Sequence, residues 1–313
     1  MSDPEQRYAL ALDVGGTGIK AGLVTADGTL TRTWRRATRI ERGPQAVIDT
    51  IADFAAELVE EAAADGTPVV AAGFALPGII NEQIGVGVFS ATVGWRDVPF
   101  RELLGKRLAV PVAIGHDVRA GGVAEARIGA GRGSARFIFL PLGTSIGGAI
   151  MIDGVPNLGT HGMGGEFGHF VVRPGGLPCG CGLHGCLAQY SSAGAVAARY
   201  AQAAGTPNAG ALDVAARLAT GDPIARAIWD EAVDVLADAL LTTAALLDPD
   251  RVVIGGGLAE AGDVLMVPLA ESLAGKATYH VLPELVTAEL GDLAGCLGAG
   301  LLAWDLVPQD RVP

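Results

Sequence analysis

Positive charge is scarce in this sequence: 22 lysines and arginines stand against 34 aspartates and glutamates in 313 residues, a net charge of −12. With a pI near 4.8, the chain is poorly matched to a nucleic-acid backbone or an anionic membrane, so no nucleic-acid or membrane partner is expected and a small-molecule ligand fits better. Long apolar runs are missing too, none approaching the roughly 18 residues of a membrane-spanning helix. The opening MSDPEQRYALALDVGG has no cationic stretch followed by an apolar run and a cleavage site. Cysteine is rare, four residues in all, and nothing points to an oxidising compartment. A soluble, cytoplasmic protein is expected. What is abundant is apolar surface and glycine: the chain is 50% hydrophobic with 46 glycines, enough for one large core or two medium ones, with two lobes as the default.

Three of the four cysteines fall in one stretch, Gly165 to Cys186, which reads GEFGHFVVRPGGLPCGCGLHGC. A Cys-x-Cys pair, a Gly-rich turn and a third Cys five residues on can gather the thiolates of Cys179, Cys181 and Cys186 around one centre. His169 can add a nitrogen, and His184 lies inside the loop. Such a closed Cys3His set is a zinc set. The alternatives are thiols scattered in a loop or a disulfide, and a bridge across Cys-x-Cys is strained. A zinc knot would fix Glu166 and His169 in place.

In chain order, an apolar strand from Tyr8 to Val14, containing Asp13, is followed by Gly15, Gly16, Thr17, Gly18 and Lys20, then by a returning strand from Ala21 to Val24. Such a turn can cradle a phosphate. Gly15 and Gly16 let the backbone approach, Thr17 donates from its hydroxyl, Lys20 brings a mobile charge, and Asp13 is suited to a hydrated Mg2+. A Gly-Gly-Thr hairpin is also often a plain turn. After a strand over 29–37, helical spacing of Val47, Ile51, Phe54 and Leu58 predicts a helix over 44–64. A buried strand over 67–76 closes on Pro77 and Gly78, residues 89–95 read as a loop, and a short helix covers 99–108. The next strand, 111–115, stops at His116 and Asp117 ahead of a helix over 118–128. A carboxylate at that end of a strand stands where open α/β sheets place reacting groups, although Asp is also a favoured helix N-cap. The strand–Gly-Thr–strand pattern recurs at 137–152 around Gly143, Thr144 and Ser145, implying two related lobes that offer hairpins to a shared cleft. A third turn, Gly255, Gly256 and Gly257, follows a strand at 251–254 and precedes a helix from Ala259. It allows close approach of a flat ring such as adenine or is an ordinary strand-to-helix turn. Helices over 193–204, 212–219 and 223–247 are scaffold, Asp222 and Pro223 forming a cap pair. A strand at 285–290 and a small-residue helix at 293–306 close the chain, with Cys296 read as a buried apolar residue.

Asp13-Val-Gly-Gly-Thr-x-x-Lys20, the Leu142-Gly-Thr turn, Glu166-x-Gly-His169, the Cys179-x-Cys-Gly-x-x-Gly-Cys186 loop and the Gly255 triplet together resemble the ROK family of sugar kinases and sugar-responsive repressors, above all its glucokinase branch. The resemblance spans nearly the whole chain. It implies an α/β, actin-like ATPase (ribonuclease H-like) fold of two lobes, ATP with Mg2+, a structural Zn2+ on His169, Cys179, Cys181 and Cys186, and a homodimer. The expected division is 1–118 as a small lobe joined by the C-terminal helix 293–306, and 119–292 as a large lobe carrying the zinc loop 169–186. Asp117 would be the general base, with Gly78, His116, Glu166 and His169 on the sugar and the three glycine turns on the nucleotide. Family repressors carry a DNA-binding domain ahead of the first phosphate strand, and only about seven residues precede it here, which favours an enzyme. A non-catalytic sugar sensor is the remaining class.

Three positions depart from the family pattern. His116 replaces the usual Asn before the base, Arg119 the usual Asn two residues after it, and Ala188 the usual Glu two residues beyond Cys186. In relatives that Glu accepts hydrogen bonds from the anomeric end of the sugar, and its loss in a buried site costs about 1–3 kcal/mol. The resemblance implies glucose or a near relative as one expected substrate, against which the missing Glu counts. A ligand altered at that end, such as a C7-cyclitol or an amino or deoxy sugar, is the other. Gln189 or a water can partly restore the contact.

Overall fold

The computed structural model describes residues 7–308, so the stretch 1–6, part of the leader reading above, lies outside the described residues. The first five-stranded sheet has the order β3-β2-β1-β4-β8. β1 (Tyr8–Val14) and β2 (Gly18–Val24) form the predicted hairpin, and β3 (Leu30–Ala37) is the edge. β1 is apolar nearly throughout because the sheet is covered on both faces there, whereas β3 alternates in burial, with Arg32, Trp34 and Arg36 on its half-buried face and Arg35 exposed. α1 (Pro44–Ala64) starts with proline in its first turn and buries Val47, Ile51, Phe54 and Leu58, the side chains whose spacing predicted it. β4 (Val69–Leu76) runs parallel to β1.

Residues 77–99 hold something the sequence reading missed. β5 (Ile79–Asn81), β6 (Val86–Phe89) and β7 (Arg96–Val98) make a small antiparallel sheet, so the loop expected at 89–95 is only the connection from β6 to β7. Its anchor is Trp95, fully buried edge-on against Phe100 with ring centroids 4.9 Å apart. α2 (Phe100–Leu108) and β8 (Val112–His116) lead to α3 (Asp117–Ile128). The strand thus runs through His116, and Asp117 is the first residue of the helix.

The second sheet, β11-β10-β9-β12-β13, repeats the first: an antiparallel meander followed by two parallel strands. β9 (Arg136–Pro141), β10 (Ala149–Ile152) and β11 (Val155–Pro156) form the meander. α4 (Ala188–Ser191), α5 (Ala193–Ala204), α6 (Ala211–Leu218) and α7 (Pro223–Leu247) follow. The Asp222 carboxylate caps α7, accepting from the N–H groups of Ile224 and Ala225 at 2.9 and 3.1 Å. After β12 (Arg251–Gly255), the helix expected from Ala259 is only a 3-10 turn, Ala259–Ala261. Gly262, at φ 57°, breaks it before α8 (Asp263–Lys276) begins. β13 (Glu284–Thr287) completes the sheet.

The last helix, α9 (Ala294–Trp304), packs on the first sheet. Its small residues let backbones meet: a Cβ on Gly73 of β4 would lie 1.8 Å from the Ala299 carbonyl oxygen, and one on Gly298 1.8 Å from that of Ala120 in α3. The described residues fall into two units. One holds residues up to 128, 158–163 and those from 292 onward, and the other 129–157 and 164–291. The boundary expected at 118/119 cuts α3, which stays whole in the first unit because it packs on α9. Among the described residues no helix is long and apolar enough to cross a membrane.

Candidate active site

In the first unit the β1–β2 register pairs Asp13 with Lys20. The turn between them is closed by Gly15 N–H donating to Gly18 O at 2.9 Å and braced by the Thr38 hydroxyl, which donates to Gly15 O at 2.6 Å. Among the described residues the N–H groups of Gly16 and Thr17 find no acceptor, which leaves them for an anion. Lys20, expected to bring a mobile charge to a phosphate, is paired here with Asp292. Its Nζ donates to Asp292 O at 2.6 Å and lies 3.4 Å from that residue's carboxylate, which Arg35 also holds at 2.9 Å. Asp13 sits against the start of α9, where a Cβ on Gly295 would come within 2.9 Å of its carboxylate. Burial, and then the charge of Asp117, lifts the Asp13 carboxyl to about 7 against the pull of Lys20. Beside it, Cys296 is buried, its Sγ 3.8 Å from Ala11 O, with burial pushing the thiol up to about 12. It is an inert core residue.

Asp117 stands where β8 turns into α3. Burial raises its carboxyl to about 6, opposed by the N–H of Val118, which donates to Oδ1 at 2.8 Å, and by the charge of Arg119. His116 Nε2 is 3.3 Å from the same oxygen. Gly78 occupies φ 106°, and a side chain there would strike Phe89 O at 2.3 Å, so this turn demands glycine.

The second unit brings its predicted groups together in turn. Gly143 N–H donates to Ser145 O at 3.0 Å, closing a tight turn that leaves Thr144 and Ser145 exposed. Against this loop lies the 3-10 turn Phe167–His169, where a Cβ on Gly168 would be 2.1 Å from Ile146 O. That approach explains the Gly in Glu166-x-Gly-His169. Glu166 lines a cavity of about 230 Å³ otherwise walled by side chains such as Ile150, Phe167, Phe170 and Leu247. Of the glycine triplet, Gly255 is buried against Phe139 and Ala288, and Gly256 packs on the backbone of Leu142. Only Gly257 borders open space.

One donor atom from each of His169, Cys179, Cys181 and Cys186 lies within 4.8 Å of the others. Cys179 Sγ is 3.6 Å from His169 Nδ1, and Cys181 Sγ 3.7 Å from Cys186 Sγ. His184 is exposed and outside the cluster. Burial and then the neighbouring thiols push Cys186 up to about 12. Arg173 ties this loop to α7 through Asp234 and Asp238 at 2.8 and 2.7 Å, and Lys276 of α8 joins the same carboxylates. Gln189 Nε2 points at Cys179 Sγ, 3.6 Å away, and so is engaged away from the role of replacing the missing Glu. Ala188 is buried in the second core beside Phe167 and Leu187. Glu82, Asp292 and Gly295 went unnoticed in the sequence, since none sits in a motif and each gains its place only through long-range packing.

The ROK family model matches residues 9–305. The chain belongs to the ROK family. It is 33% identical to a glucokinase of Streptomyces coelicolor over 94% of this chain and 96% of that protein. It is 35% identical to a glucokinase of Thermotoga maritima over 93% and 95% of the two. A kanosamine kinase of Amycolatopsis mediterranei is 31% identical over 98% and 99%. Among solved structures, a ROK family glucokinase from Streptomyces griseus in complex with glucose and AMPPNP superposes with a TM-score of 0.82 at 29% identity, covering 95% of this chain and 99% of that one. The fold is the actin-like ATPase fold of ROK kinases, as the motifs implied.

Proposed function

We propose that this protein is an ATP-dependent sugar kinase that transfers the γ-phosphoryl group to a hydroxyl of glucose or a related hexose, with Asp117 as general base. The observation that carries this reading is the Asp117 carboxylate, fixed at the end of β8 with its pKa lifted to about 6 in the same unit as the Asp13–Lys20 hairpin. A base in that range is ionised at neutral pH yet basic enough to take the proton of an alcohol as its oxygen attacks phosphorus. The Gly16 and Thr17 amides and Lys20 suit the phosphates, as do the Gly143–Ser145 turn and the open face of Gly257. Lys20 reaches a phosphate by leaving Asp292. Asp13 would hold a hydrated Mg2+, which when bound supplies charge neutralisation along the phosphates. Glu166 and His169 would bind the sugar hydroxyls. The resemblance extends this reading to a cytoplasmic homodimer.

The Cys-His cluster fits zinc. Bond lengths of about 2.3 Å to sulfur and about 2.0 Å to nitrogen set tetrahedral ligand atoms about 3.3–3.8 Å apart, and two of the donor pairs lie at 3.6 and 3.7 Å. Three thiols this close, one pushed well up in pKa, ionise together only around a cation. With Nδ1 turned to the cluster, His169 keeps Nε2 for a hydroxyl.

A second substrate reading draws on Ala188 and His116, and the kanosamine kinase among the relatives agrees with it. In it, the same mechanism acts on an amino or deoxy sugar or a cyclitol. ADP release measured on one preparation with glucose, mannose, N-acetylmannosamine, an amino sugar and a cyclitol tests both. Glucose ahead by about a hundredfold supports the first reading, and a modified sugar ahead supports the second. Zinc-loaded, folded protein that releases no ADP with any of them defeats both.

A further inference from the structure

The residue before Asp117 and the residue two positions after it are tied to one half-buried carboxylate. Glu82, in the turn after β5, accepts on a single oxygen, Oε1, from Arg119 Nε at 2.6 Å and from the backbone N–H of His116 at 3.1 Å. Arg119 places its remaining donors on Gly162 O at 3.1 Å and Ile80 O at 3.4 Å. Its side chain is 3% exposed and that of Glu82 16%. Glu82 thereby grips the last residue of β8 and the third residue of α3, and Asp117 is the hinge between them.

We infer that the Glu82–Arg119 pair is a positioning device for the base, holding the β8–α3 junction so that the Asp117 carboxylate keeps one orientation. This rests on Asp117 being the base. A buried ion pair is seldom a good source of net stability, since apolar residues of similar volume often do as well. Its distinctive product here is geometry. The pair engages three guanidinium N–H groups from α3 and one backbone N–H from β8, drawing both elements to Glu82 and to the Ile80 and Gly162 carbonyls. It also explains how this chain carries Arg119 two residues after the base. A buried guanidinium there needs an anionic partner, and the half-buried Glu82 carboxylate supplies it. Arg119 further adds a positive charge that favours ionised Asp117. The other charged or titratable groups bearing on Asp117 are His116, at 3.3 Å, and Asp13, whose own surroundings include Lys20 and Asp292.

The test replaces the pair together, Glu82→Leu with Arg119→Met, so that no buried charge is stranded. The expected result is a Tm close to the parent's, a kcat lower by about tenfold to a hundredfold, a KM for ATP within about threefold, and an acid limb of the pH–rate profile moved to higher pH. Folded double variant with parental kcat and an unmoved limb overturns the inference. Should that variant not fold, Glu82→Gln and Glu82→Ala decide. The amide oxygen of Gln can still accept from both donors, so Gln must retain several times more kcat than Ala, and equal losses overturn the inference. Asp117→Asn is measured alongside. Turnover surviving in it removes the base reading itself, whereas an inactive Asp117→Asn beside a fully active double variant removes only the role of the pair.

Discussion

Burial lifts the Asp117 carboxyl to about 6, so between its ordinary pKa near 3.8 and that value the folded chain holds more protons than the unfolded one. Stability therefore falls as pH rises through this window, and at neutral pH the ionised carboxylate works against the fold that positions it. Asp117→Asn removes that opposition and keeps an oxygen for the Val118 N–H. Turnover should fall about a hundredfold or more. The melting temperature at pH 7 should rise by a few degrees, for about 1–2 kcal/mol once water at the partly exposed side chain is allowed for. In the parent, kcat/KM should drop about tenfold per pH unit below about 6, and a profile flat to pH 5 would remove Asp117 as the base. That limb belongs to Asp117 and Asp13 as an interacting pair. Ala188 yields a second residue-scale prediction. Ala188→Glu puts a carboxylate into a buried site and should lower Tm, yet if the missing acceptor is what weakens glucose, KM for glucose should fall about tenfold. A lower Tm with an unchanged KM would sever Ala188 from substrate choice.

At the scale of elements, the start of α9 bears on Asp13 as closely as the hairpin does. Gly295, in the helix's first turn, has no side chain to hold the Asp13 carboxylate away, and the helix N-terminus favours negative charge there. Gly295→Ala is a better helix residue by about 0.8–1 kcal/mol in isolation, but its Cβ would lie 2.9 Å from the carboxylate. We expect KM for ATP–Mg2+ to rise about tenfold or more with the fold retained, and unchanged nucleotide kinetics would show that Asp13 has room to move. Elements with strong apolar periodicity were legible in the sequence: α1 through Val47, Ile51, Phe54 and Leu58, α7 through its Asp222–Pro223 start, and the hairpins through Gly15–Gly16–Thr17 and Gly143–Thr144. Short elements held by distant partners were not. β5 to β7 are three or four residues each and depend on Trp95 meeting Phe100. α8, expected from Ala259, begins only at Asp263, because Gly262 at φ 57° interrupts the run. The same blindness hid Glu82, which belongs to no motif and whose partner Arg119 is 37 residues away.

Across the whole molecule, one strand pattern used twice gives two units of matching sheet order, and their chemical loads differ. The first unit carries Asp13 and Asp117, the groups proposed for phosphate-bound Mg2+ and for the base, at a strand end and a helix start, where regular structure holds them. The second carries Glu166 and His169 in a segment with little regular structure, between β11 and α4, where a 3-10 turn and isolated bridges are the only repeating contacts. Such a segment has too little apolar burial of its own to stay in one conformation, so the Cys-His cluster and the Arg173 ion pairs must order it. Those ion pairs are partly exposed and each is worth about 1 kcal/mol at most, so in the zinc reading proposed above the metal would be the dominant restraint. Chelation should therefore act on sugar affinity before it acts on the fold as a whole. With zinc content followed by elemental analysis, a strong chelator should raise KM for the sugar about tenfold or more while KM for ATP changes little. The thermal transition of the second unit should fall, and added zinc should restore both. Metal-free protein that binds sugar as tightly as the loaded form would mean that the loop is held by its ion pairs alone, and that His169 owes its orientation to something other than the cluster.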